Sequence, residues 1–364
     1  MGSAFTLAVN PWVYKAQYND DGSWTEEFIE KPHETAEKEE SLSADERNAV
    51  LSLRNSFPEL PLVNYTTQYG LGCFEGLKAT PQPDGSLKIF RPDQNARRMN
   101  GSMIGLRMPG FPEEMFVNAV QELVRRNYEL GFYPRYDPAW EARDFVEGSA
   151  MYIRPFSYGE PGIGLNIVRK PWVVIVTTNV GSYFDPDADA KATTTNKIRA
   201  TENGTGWIKC DANYVIPILA KQEAIDNGYM EAIFLDAKER RYVEEGSSCN
   251  IFFYMTDGTL VTPSLEGRIL DGITRRSVLQ LAADLDVATR ERPVTIDEAL
   301  SDASEVFVTG TAAGVSYIES ITHEGKTTVY NNGEIGELTS KLRKMLRGIQ
   351  YGAVPDNHGW LYDA

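Results

Sequence analysis

The sequence is poor in the two residue types that most often bind metals and relay protons. Its 364 residues include three cysteines and three histidines, which are Cys73, Cys210, Cys249, His33, His323 and His358. They form no CxxC pair and no zinc-type spacing, so a zinc site and a histidine-centred mechanism are not expected. Few unpaired cysteines are typical of a reducing compartment, and the sequence therefore predicts a cytoplasmic protein.

Long apolar runs and an excess of positive charge are also missing. The longest apolar run is WVVIV at 172–176, well short of the roughly 18 residues that span a bilayer. The start MGSAFTLAVNPW lacks the basic and apolar regions of a secretory signal. Lysine and arginine number 36 against 52 acidic residues, for a net charge of −16. We therefore expect neither nucleic acid nor membrane as a partner.

Length and patterning predict two domains of the α+β class. Residues 112–131 have the apolar spacing of an amphipathic helix, whereas SAMYIRPFSYG and KPWVVIVTTNV are typical of strands. The acidic, small-residue stretch at 183–195 favours an interdomain linker. We expect a small N-terminal α/β domain at 1–178, a linker at 179–194 and a large cofactor-binding domain at 195–364. Each should contain a mixed or antiparallel sheet with helices, and the active site should lie in the cleft between them.

The N-terminal part contains few structural signals. The first 60 residues are polar and are predicted to be irregular, apart from a helix that begins at the capping box of Ser43 and Glu46. The stretch VNYTTQYGLGCFEGLKAT, in a region with four glycines between residues 70 and 85, is predicted to be a strand and turn.

Three stretches suit an anion such as a phosphate. In DGITRR, Gly272 permits a tight turn, and the amides of Ile273 and Thr274 lie at a helix start, where N–H groups and the helix dipole attract negative charge. In TGTAAG, backbone amides and the hydroxyl of Thr311 follow a buried strand. In NARRM, two arginines come early in a helix. Each stretch alone is typical of a plain helix cap or a solvated arginine pair, and only their joint occurrence favours an anion site.

One lysine and one carboxylate stand in notable local contexts. Lys209 in WIKCDANY precedes a tyrosine by five residues, and VEEGSSCN places glutamates directly before a predicted strand. The plain interpretation is a surface lysine and an exposed turn. The alternative is a pyridoxal phosphate site, which requires a lysine, a carboxylate for the ring nitrogen, a phenol or amide for the ring oxygen and an anion cup. The residues by themselves do not specify the reaction.

Eight segments extend this pattern from about Tyr69 to the end of the chain. They are QYGLGCFEGLKA, FRPDQNARRM, MYIRPFSYG, RATENGTGWIKCDANY, EEGSSCNIF, TPSLEGRILDGITRRS, VTGTAAG and IQYG followed by HGW. In this order they resemble the branched-chain amino acid aminotransferases, which are class IV enzymes of fold type IV. The resemblance implies pyridoxal 5'-phosphate as cofactor and transfer of the amino group of L-leucine, L-isoleucine or L-valine to 2-oxoglutarate by a ping-pong mechanism. It also implies amino acid and 2-oxo acid substrates as partners, and a homodimer.

The resemblance assigns cofactor roles to individual residues. Lys209 would be the catalytic lysine that forms the Schiff base, whereas the rival Lys78 is interpreted as structural. Tyr214 would bind the ring oxygen, and Glu245, rather than its neighbour Glu244, would face the ring nitrogen. The phosphate and its surroundings would be bound by Arg98 in preference to Arg97, and by Ser248, Ile273, Thr274 and Thr311.

The resemblance also implies a substrate pocket. Its residues would be Tyr69, Phe74, Tyr152, Arg154, Tyr183, Thr311 and Ala312. Aromatic rings suit an aliphatic side chain, and Arg154 would meet the distal carboxylate of glutamate. The competing interpretation is ordinary core packing for the aromatic residues and a structural ion pair for the arginine.

The sequence departs from the family pattern directly after the lysine. Two glycines commonly lie between that lysine and the Asn-Tyr pair, where this chain has Cys210, Asp211 and Ala212. Side chains at these positions are expected to narrow the pocket or alter the φ angles of the loop, and the aspartate is expected to disfavour acidic substrates. A D-amino acid or R-amine transaminase, an aminodeoxychorismate lyase and a noncatalytic cofactor-binding paralogue remain as alternatives.

Overall fold

The computed structural model describes residues 8–56, 58–181 and 189–364. The α-helices in these ranges are α1 Ala36–Glu40, α2 Ala44–Asn55, α3 Tyr65–Tyr69, α4 Pro92–Gly105, α5 Glu113–Glu129, α6 Val215–Asp226, α7 Ile273–Asp284, α8 Ile296–Ser301 and α9 Glu337–Gln350. Short 3-10 helices cover Pro138–Arg143, Asp211–Tyr214 and Asn331–Gly333.

The strands run the length of the described chain. They are β1 Trp12–Tyr18, β2 Trp24–Glu30, β3 Leu77–Pro81, β4 Leu87–Phe90, β5 Ala150–Tyr158, β6 Trp172–Val180, β7 Lys191–Thr194, β8 Glu231–Leu235, β9 Val243–Gly246, β10 Asn250–Met255, β11 Leu260–Thr262, β12 Thr289–Glu291, β13 Ala303–Gly310, β14 Gly314–Ile318, β15 Ser320–His323, β16 Lys326–Val329 and β17 Leu361–Asp363.

The chain divides into two compact units. The first unit comprises Met1–Tyr183, Ile208–Ala212 and Gln350–Ala364, and the second comprises Phe184–Trp207 and Asn213–Ile349. The short segment Ile208–Ala212, which contains the motif lysine, therefore belongs to the first unit. The domain boundaries inferred from composition stay a prediction.

The first unit is built on one antiparallel sheet. Its strand order is β17-β4-β3-β5-β6-β1-β2. Helix α5 buries Phe116, Val120 and Leu123, whose spacing of three and four residues places them on one face of the helix. These side chains join a buried cluster with Ile153 of β5 and Ile175 of β6. The strongly patterned helix and strands predicted at 112–131, 149–159 and 170–180 are thus present.

The prediction of an irregular N-terminus was wrong. Strand β1 pairs antiparallel with both β2 and β6. Val13, Tyr14 and Ala16 in β1 are fully buried, although the surrounding sequence is polar. Their burial comes from a partner strand about 160 residues away, and no local window of sequence contains that partner. The helix predicted from Ser43 and Glu46 is present, and both hydrogen bonds of its capping box form.

Two further differences concern short segments. Residues predicted as a strand before the glycine-rich turn form helix α3 instead, because the Asn64 side chain accepts from the N–H groups of Thr66 and Thr67 and caps it. At the end of the stretch predicted as a linker, β7 pairs in parallel with β8 and β15. Its β-branched threonines suit a strand.

The second unit contains two five-stranded sheets. Their orders are β12-β11-β10-β13-β14 and β16-β15-β7-β8-β9, and both combine parallel with antiparallel pairs. Ile251, Phe253, Val306 and Val308 from β10 and β13 lie in one buried cluster. Antiparallel and mixed sheets with separate helices are the α+β architecture that the sequence predicts.

Candidate active site

Glycines in the first unit make room for the side chains around the motif lysine. A Cβ atom on Gly76 would collide with the Tyr152 hydroxyl oxygen, and one on Gly72 would collide with the Asp211 carboxylate. Gly70 ends α3 with φ of 67°. The glycine-rich stretch is therefore needed for close packing of the segment that carries Lys209.

Lys209 is held by main-chain contacts on both sides. Its N–H donates to Ser102 Oγ at 3.2 Å, and its carbonyl accepts from the Phe74 N–H at 3.1 Å. The Nζ atom lies 4.7 Å from the centre of the Phe74 ring. Burial lowers the pKa of Lys209 to about 8, with help from the Arg98 charge and against the opposing effect of Glu75. The lowered pKa gives this amine a larger neutral fraction near physiological pH than an ordinary lysine has, as a nucleophile and a base require.

A buried ion pair lies beside the lysine. Arg98 Nε donates to Glu75 Oε1 at 2.7 Å, and Nη2 donates to Oε2 at 2.8 Å. Asn95 Nδ2 also donates to Glu75 Oε2, at 2.7 Å. The Glu75 side chain is fully buried, and its charged form is kept by Arg98, which holds the pKa of this carboxyl below its usual value against the cost of burial. Arg98 is thus oriented by a two-bond fork.

Tyr152 and Arg154 lie next to the same phenylalanine. Arg154 Nη2 donates to the Tyr152 hydroxyl at 2.9 Å, and its guanidinium carbon lies 4.7 Å from the centre of the Phe74 ring. The Nε atom of Arg154 is buried without a hydrogen-bond partner among the described residues. The choice between a substrate contact and a structural ion pair for Arg154 stays a prediction. An arginine of this kind can accept an anionic ligand.

The second unit brings a different set of residues together. Arg199 Nη1 lies 2.8 Å from Glu245 Oε1, and both side chains are buried, with 5% and 4% of their surface exposed. The Leu270 N–H donates to the same oxygen at 3.3 Å. Glu245 is therefore oriented by two separate segments. One contains Arg199, and the other contains Leu270, which lies shortly before α7.

Glu244, the alternative carboxylate, has other surroundings. Successive residues in β9 point to opposite faces, and Arg268 Nε lies 3.4 Å from Glu244 Oε1. Burial raises the pKa of Glu244 to about 7; Arg268 opposes this rise and Glu245 adds to it. A carboxyl that is partly protonated at neutral pH is poorly suited to hold a proton on a ring nitrogen.

Ile273 and Thr274, two of the predicted phosphate residues, follow a glycine that packs against Asn250 in the second unit. A Cβ atom on Gly272 would collide with Asn250 Oδ1, and Asn250 Nδ2 donates to the Leu270 carbonyl at 2.9 Å. Gly272 is the N-cap of α7 and has no side chain that could accept from the N–H groups of Ile273 and Thr274. These N–H groups have no acceptor within the helix, so they are available to an anion.

The turns at Ser248 and at Thr311 and Ala312 adjoin this region. Asn250, the first residue of β10, pairs with Thr309 near the end of β13, so the preceding and following turns are neighbours. The Oγ1 atom of Thr309 and the Oγ atom of Ser247 are buried without a hydrogen-bond partner among the described residues. Buried hydroxyls of this kind fit a polar ligand.

Of the predicted tyrosines, Tyr214 and Tyr69 belong to different units. Tyr214 is the N-cap of α6, one turn after Asp211, and belongs to the second unit. Tyr69 is not on a strand as expected but ends α3, where its hydroxyl accepts from the Gly164 N–H at 2.8 Å. Tyr183 lies outside the described residues. Lys78, the rival lysine, is buried in β3.

Sequence reasoning missed Glu75 and Arg199. Glu75 stands in FEGLKA and Arg199 in RATENG, so both lie inside segments already noted, but neither has a local pattern that indicates a buried charge. An acidic residue inside an apolar, glycine-rich stretch was the available signal for Glu75. The part of the chain that the structure describes contains no helix long and apolar enough to cross a membrane, and no cluster of three metal-binding side chains.

Comparison with known proteins gives one consistent result. The profile of the family described as amino-transferase class IV matches residues 72–321. A branched-chain-amino-acid aminotransferase of Mycobacterium tuberculosis (strain CDC 1551 / Oshkosh) is 38% identical over 304 residues, which are 80% of each chain. Branched-chain-amino-acid transaminase 1 of Bacillus subtilis (strain 168) is 36% identical over 301 residues, 80% of this chain and 81% of that one.

Solved structures of branched-chain aminotransferases are also similar to this chain. The branched-chain aminotransferase of Thermoproteus uzoniensis with norvaline has a TM-score of 0.73 at 28% identity, covering 97% of this chain and 99% of that one. The T.th. branched-chain amino acid aminotransferase, complexed with N-(5'-phosphopyridoxyl)-L-glutamate, has a TM-score of 0.70 at 30% identity, with 85% and 94% coverage.

Proposed function

Because the chain belongs to the class IV aminotransferases, and among them to the branched-chain amino acid aminotransferases, we propose that it transfers the amino group of L-leucine, L-isoleucine or L-valine to 2-oxoglutarate. Membership confirms the family, the fold type IV class and the dependence on pyridoxal 5'-phosphate that the sequence predicts. The two half-reactions would follow a ping-pong order, with the first 2-oxo acid leaving before 2-oxoglutarate binds.

The residues present fit the cofactor. In the second unit, the N–H groups at the start of α7 and the buried Thr309 hydroxyl are suited to a phosphate. Glu245, oriented by Arg199, supplies a carboxylate for a protonated ring nitrogen. In the first unit, Lys209 supplies an amine whose pKa is lowered to about 8.

We therefore assign the following roles within this proposal. Lys209 would attach the cofactor, and Glu245 would bind its ring nitrogen. Tyr214 would bind the ring oxygen. The phosphate would be bound by Arg98, Ser248, Ile273, Thr274 and Thr311.

Side chains of the protein would bind the substrate and transfer the proton. Pyridoxal phosphate, when bound, supplies an electron-poor ring that accepts the electron pair left at the amino acid Cα. Lys209 Nζ would remove the Cα proton and hold it for delivery to the cofactor's C4′ carbon. Phe74 and Tyr152 would offer apolar area to a branched side chain, and Arg154 would bind the distal carboxylate of glutamate. Tyr69, Tyr183, Thr311 and Ala312 complete the proposed substrate set.

The position of Lys209 beside Phe74 and the Glu75–Arg98 pair, where burial lowers the pKa of its amine, is the observation that carries this proposal. The test is to reduce the cofactor-loaded protein with borohydride and to map the modified peptide by mass spectrometry. We expect the label on Lys209. A label on Lys78 would show that the rival lysine carries the cofactor and would refute the assignment.

Substrate class is tested by absorbance spectroscopy. The band of the loaded protein should shift on addition of L-leucine and return on addition of 2-oxoglutarate. A response to D-alanine alone would move the chain to the D-amino acid transaminases, and a response to an aryl amine alone would move it to the R-amine transaminases. Cofactor binding without any response would favour a noncatalytic paralogue.

We propose a homodimer from the exposed apolar side chains of α6. Val215, Ile218, Leu219 and Ile225 recur at helical spacing and are 50–64% exposed. An apolar stripe of this kind is typical of an interface that a second copy covers. Sedimentation should give a dimer for the native chain and a weakened dimer for Leu219→Asp. The exposed change Glu223→Gln on the same helix is the control, and a native monomer would contradict the proposal.

We also propose a cytoplasmic location and the two-domain division at 1–178 and 195–364. The cysteines Cys73, Cys210 and Cys249 are free and buried, as a reducing compartment favours. Fractionation of cells that express the chain tests the location. Limited proteolysis tests the division, which predicts first cleavage between residues 179 and 194.

A further inference from the structure

An aspartate stands close to the arginine that is proposed to bind acidic substrates. Asp211 is one of the residues that replace the family's glycines, and it lies two residues after Lys209. We infer that Asp211 determines substrate preference, because its carboxylate partly compensates the Arg154 charge and thereby disfavours a dicarboxylate relative to a branched aliphatic substrate. This inference rests on the proposed function, since it concerns the second substrate of that reaction.

The aspartate is built into the fold without backbone strain. Its N–H donates to the Gly72 carbonyl at 3.0 Å, and its carboxylate fills the space where a Gly72 Cβ would lie. None of Cys210, Asp211 and Ala212 has a positive φ. The loop therefore holds these three side chains without using the left-handed backbone region.

Arg154 retains binding capacity for an anion. Its Nη2 is engaged by the Tyr152 hydroxyl, but its buried Nε has no acceptor among the described residues. The Asp211 carboxylate packs at Gly72, and the Arg154 guanidinium lies 4.7 Å from the ring of Phe74, two residues further along the same segment. The Arg154 charge opposes the effect of burial on the Asp211 carboxyl. Burial raises the pKa of Asp211 to about 6, so this carboxylate is largely ionised at pH 7.5.

The two substrate classes respond differently to this charge. A branched side chain brings no charge to Arg154. A half-buried guanidinium without a nearby anion is unfavourable in free energy, and the Asp211 carboxylate reduces this unfavourable contribution. A dicarboxylate brings a second anion to Arg154 and meets repulsion from Asp211. Removing the Asp211 charge should therefore strengthen binding of dicarboxylates and leave monocarboxylates nearly unchanged.

The experiment measures binding of two unreactive probes to the cofactor-loaded protein. Glutarate represents the acidic substrate and 4-methylvaleric acid the branched one, both titrated by calorimetry at pH 7.5. Asp211→Asn keeps the shape of the side chain and removes its charge, and Asp211→Gly provides a second variant if the first folds poorly. Glu129→Gln, on the exposed face of α5, removes one charge elsewhere in the same unit as a control.

We expect the Kd of glutarate to fall about tenfold in both Asp211 variants, a change that corresponds to about 1.4 kcal/mol. The Kd of 4-methylvaleric acid should change less than about twofold. In turnover, KM for 2-oxoglutarate should fall while KM for L-leucine stays near its native value.

Three results would overturn the inference. They are an unchanged glutarate Kd, an equal change for both probes, which would indicate a steric effect, and an equal change in the Glu129→Gln control. Because the probes do not react, these results decide the role of Asp211 separately from turnover. A native protein that binds both probes but does not transaminate L-leucine would instead refute the proposed function.

Discussion

Replacing Lys209 by methionine is predicted to stabilise the cofactor-free protein. The change keeps the length and most of the volume of the side chain and removes its charge. The ammonium is unfavourable at this position because burial and the Arg98 charge lower its pKa, and Glu75 only partly offsets them. A residue required for chemistry would in this way reduce the stability of the fold.

The size of the stabilisation expected for Lys209→Met follows from the pKa of Lys209. It falls from the ordinary 10.5 to about 8, and each pKa unit corresponds to about 1.36 kcal/mol, so the upper value is about 3 kcal/mol. Lys209 keeps some solvent exposure, so screening reduces the expected gain to about 2 kcal/mol.

The direction of the Lys209 pKa shift sets the pH range in which the stability difference changes. Between pH 8 and 10.5 the unfolded chain holds a proton on Lys209 that the folded chain has lost, so the stability of the native protein rises with pH in this range. The penalty is complete below pH 8 and absent above 10.5. The advantage of Lys209→Met should therefore be largest at pH 7 and should shrink towards pH 10.

The assay is urea unfolding of the cofactor-free native and variant proteins at both pH values, followed by circular dichroism. Lys170→Met removes a lysine whose side chain is 47% exposed and should have little effect at either pH. A variant less stable than the native protein at pH 7, or an advantage that does not depend on pH, would refute the reasoning.

Three more predictions concern the buried charges. Glu75→Gln leaves Arg98 without its carboxylate and should lower the free energy of unfolding by about 3 kcal/mol, measured in urea; a loss below about 1 kcal/mol, typical of exposed pairs, would contradict it. Arg199→Met should weaken pyridoxal phosphate binding about tenfold, measured by fluorescence during reconstitution, because Glu245 loses its ion pair. Unchanged binding would show that Arg199 is not needed to orient Glu245. Asp211→Asn should be about 1–2 kcal/mol more stable than the native protein at pH 7.5 but not at pH 4, because the raised pKa of about 6 penalises only the ionised form; an equal difference at both pH values would exclude a charge effect.

The pH dependence predicted for Asp211→Asn involves two groups near Asp211. Arg154 faces Asp211 and opposes the rise in its pKa, and the buried Cys73 thiol senses the Asp211 charge. Cys73 does not ionise in this range, because burial raises its pKa far above the ordinary value. Asp211 is therefore the group whose titration distinguishes the two proteins near pH 6.

Local sequence determined the elements whose signals are local. The capping box at Ser43, the apolar spacing of α5 and the apolar runs of β5, β6 and β10 arise from neighbouring residues, and each element is present. The helix α3 depends on a single asparagine cap, a weaker signal that the glycines around it obscured. Strands β1 and β7 depend on partners far along the chain, which local patterns do not contain.

The same division applies to the chemistry. The lysine of WIKCDANY and the carboxylate of VEEGSSCN were evident from their motifs, because a cofactor requires those residue types whatever surrounds them. Only the tertiary structure placed Glu75 on Arg98, Arg199 on Glu245 and Asp211 near Arg154. Charge pairing and burial depend on which side chains, far apart in the sequence, come into contact. These contacts set the pKa of Lys209 and, we infer, the preference between substrates.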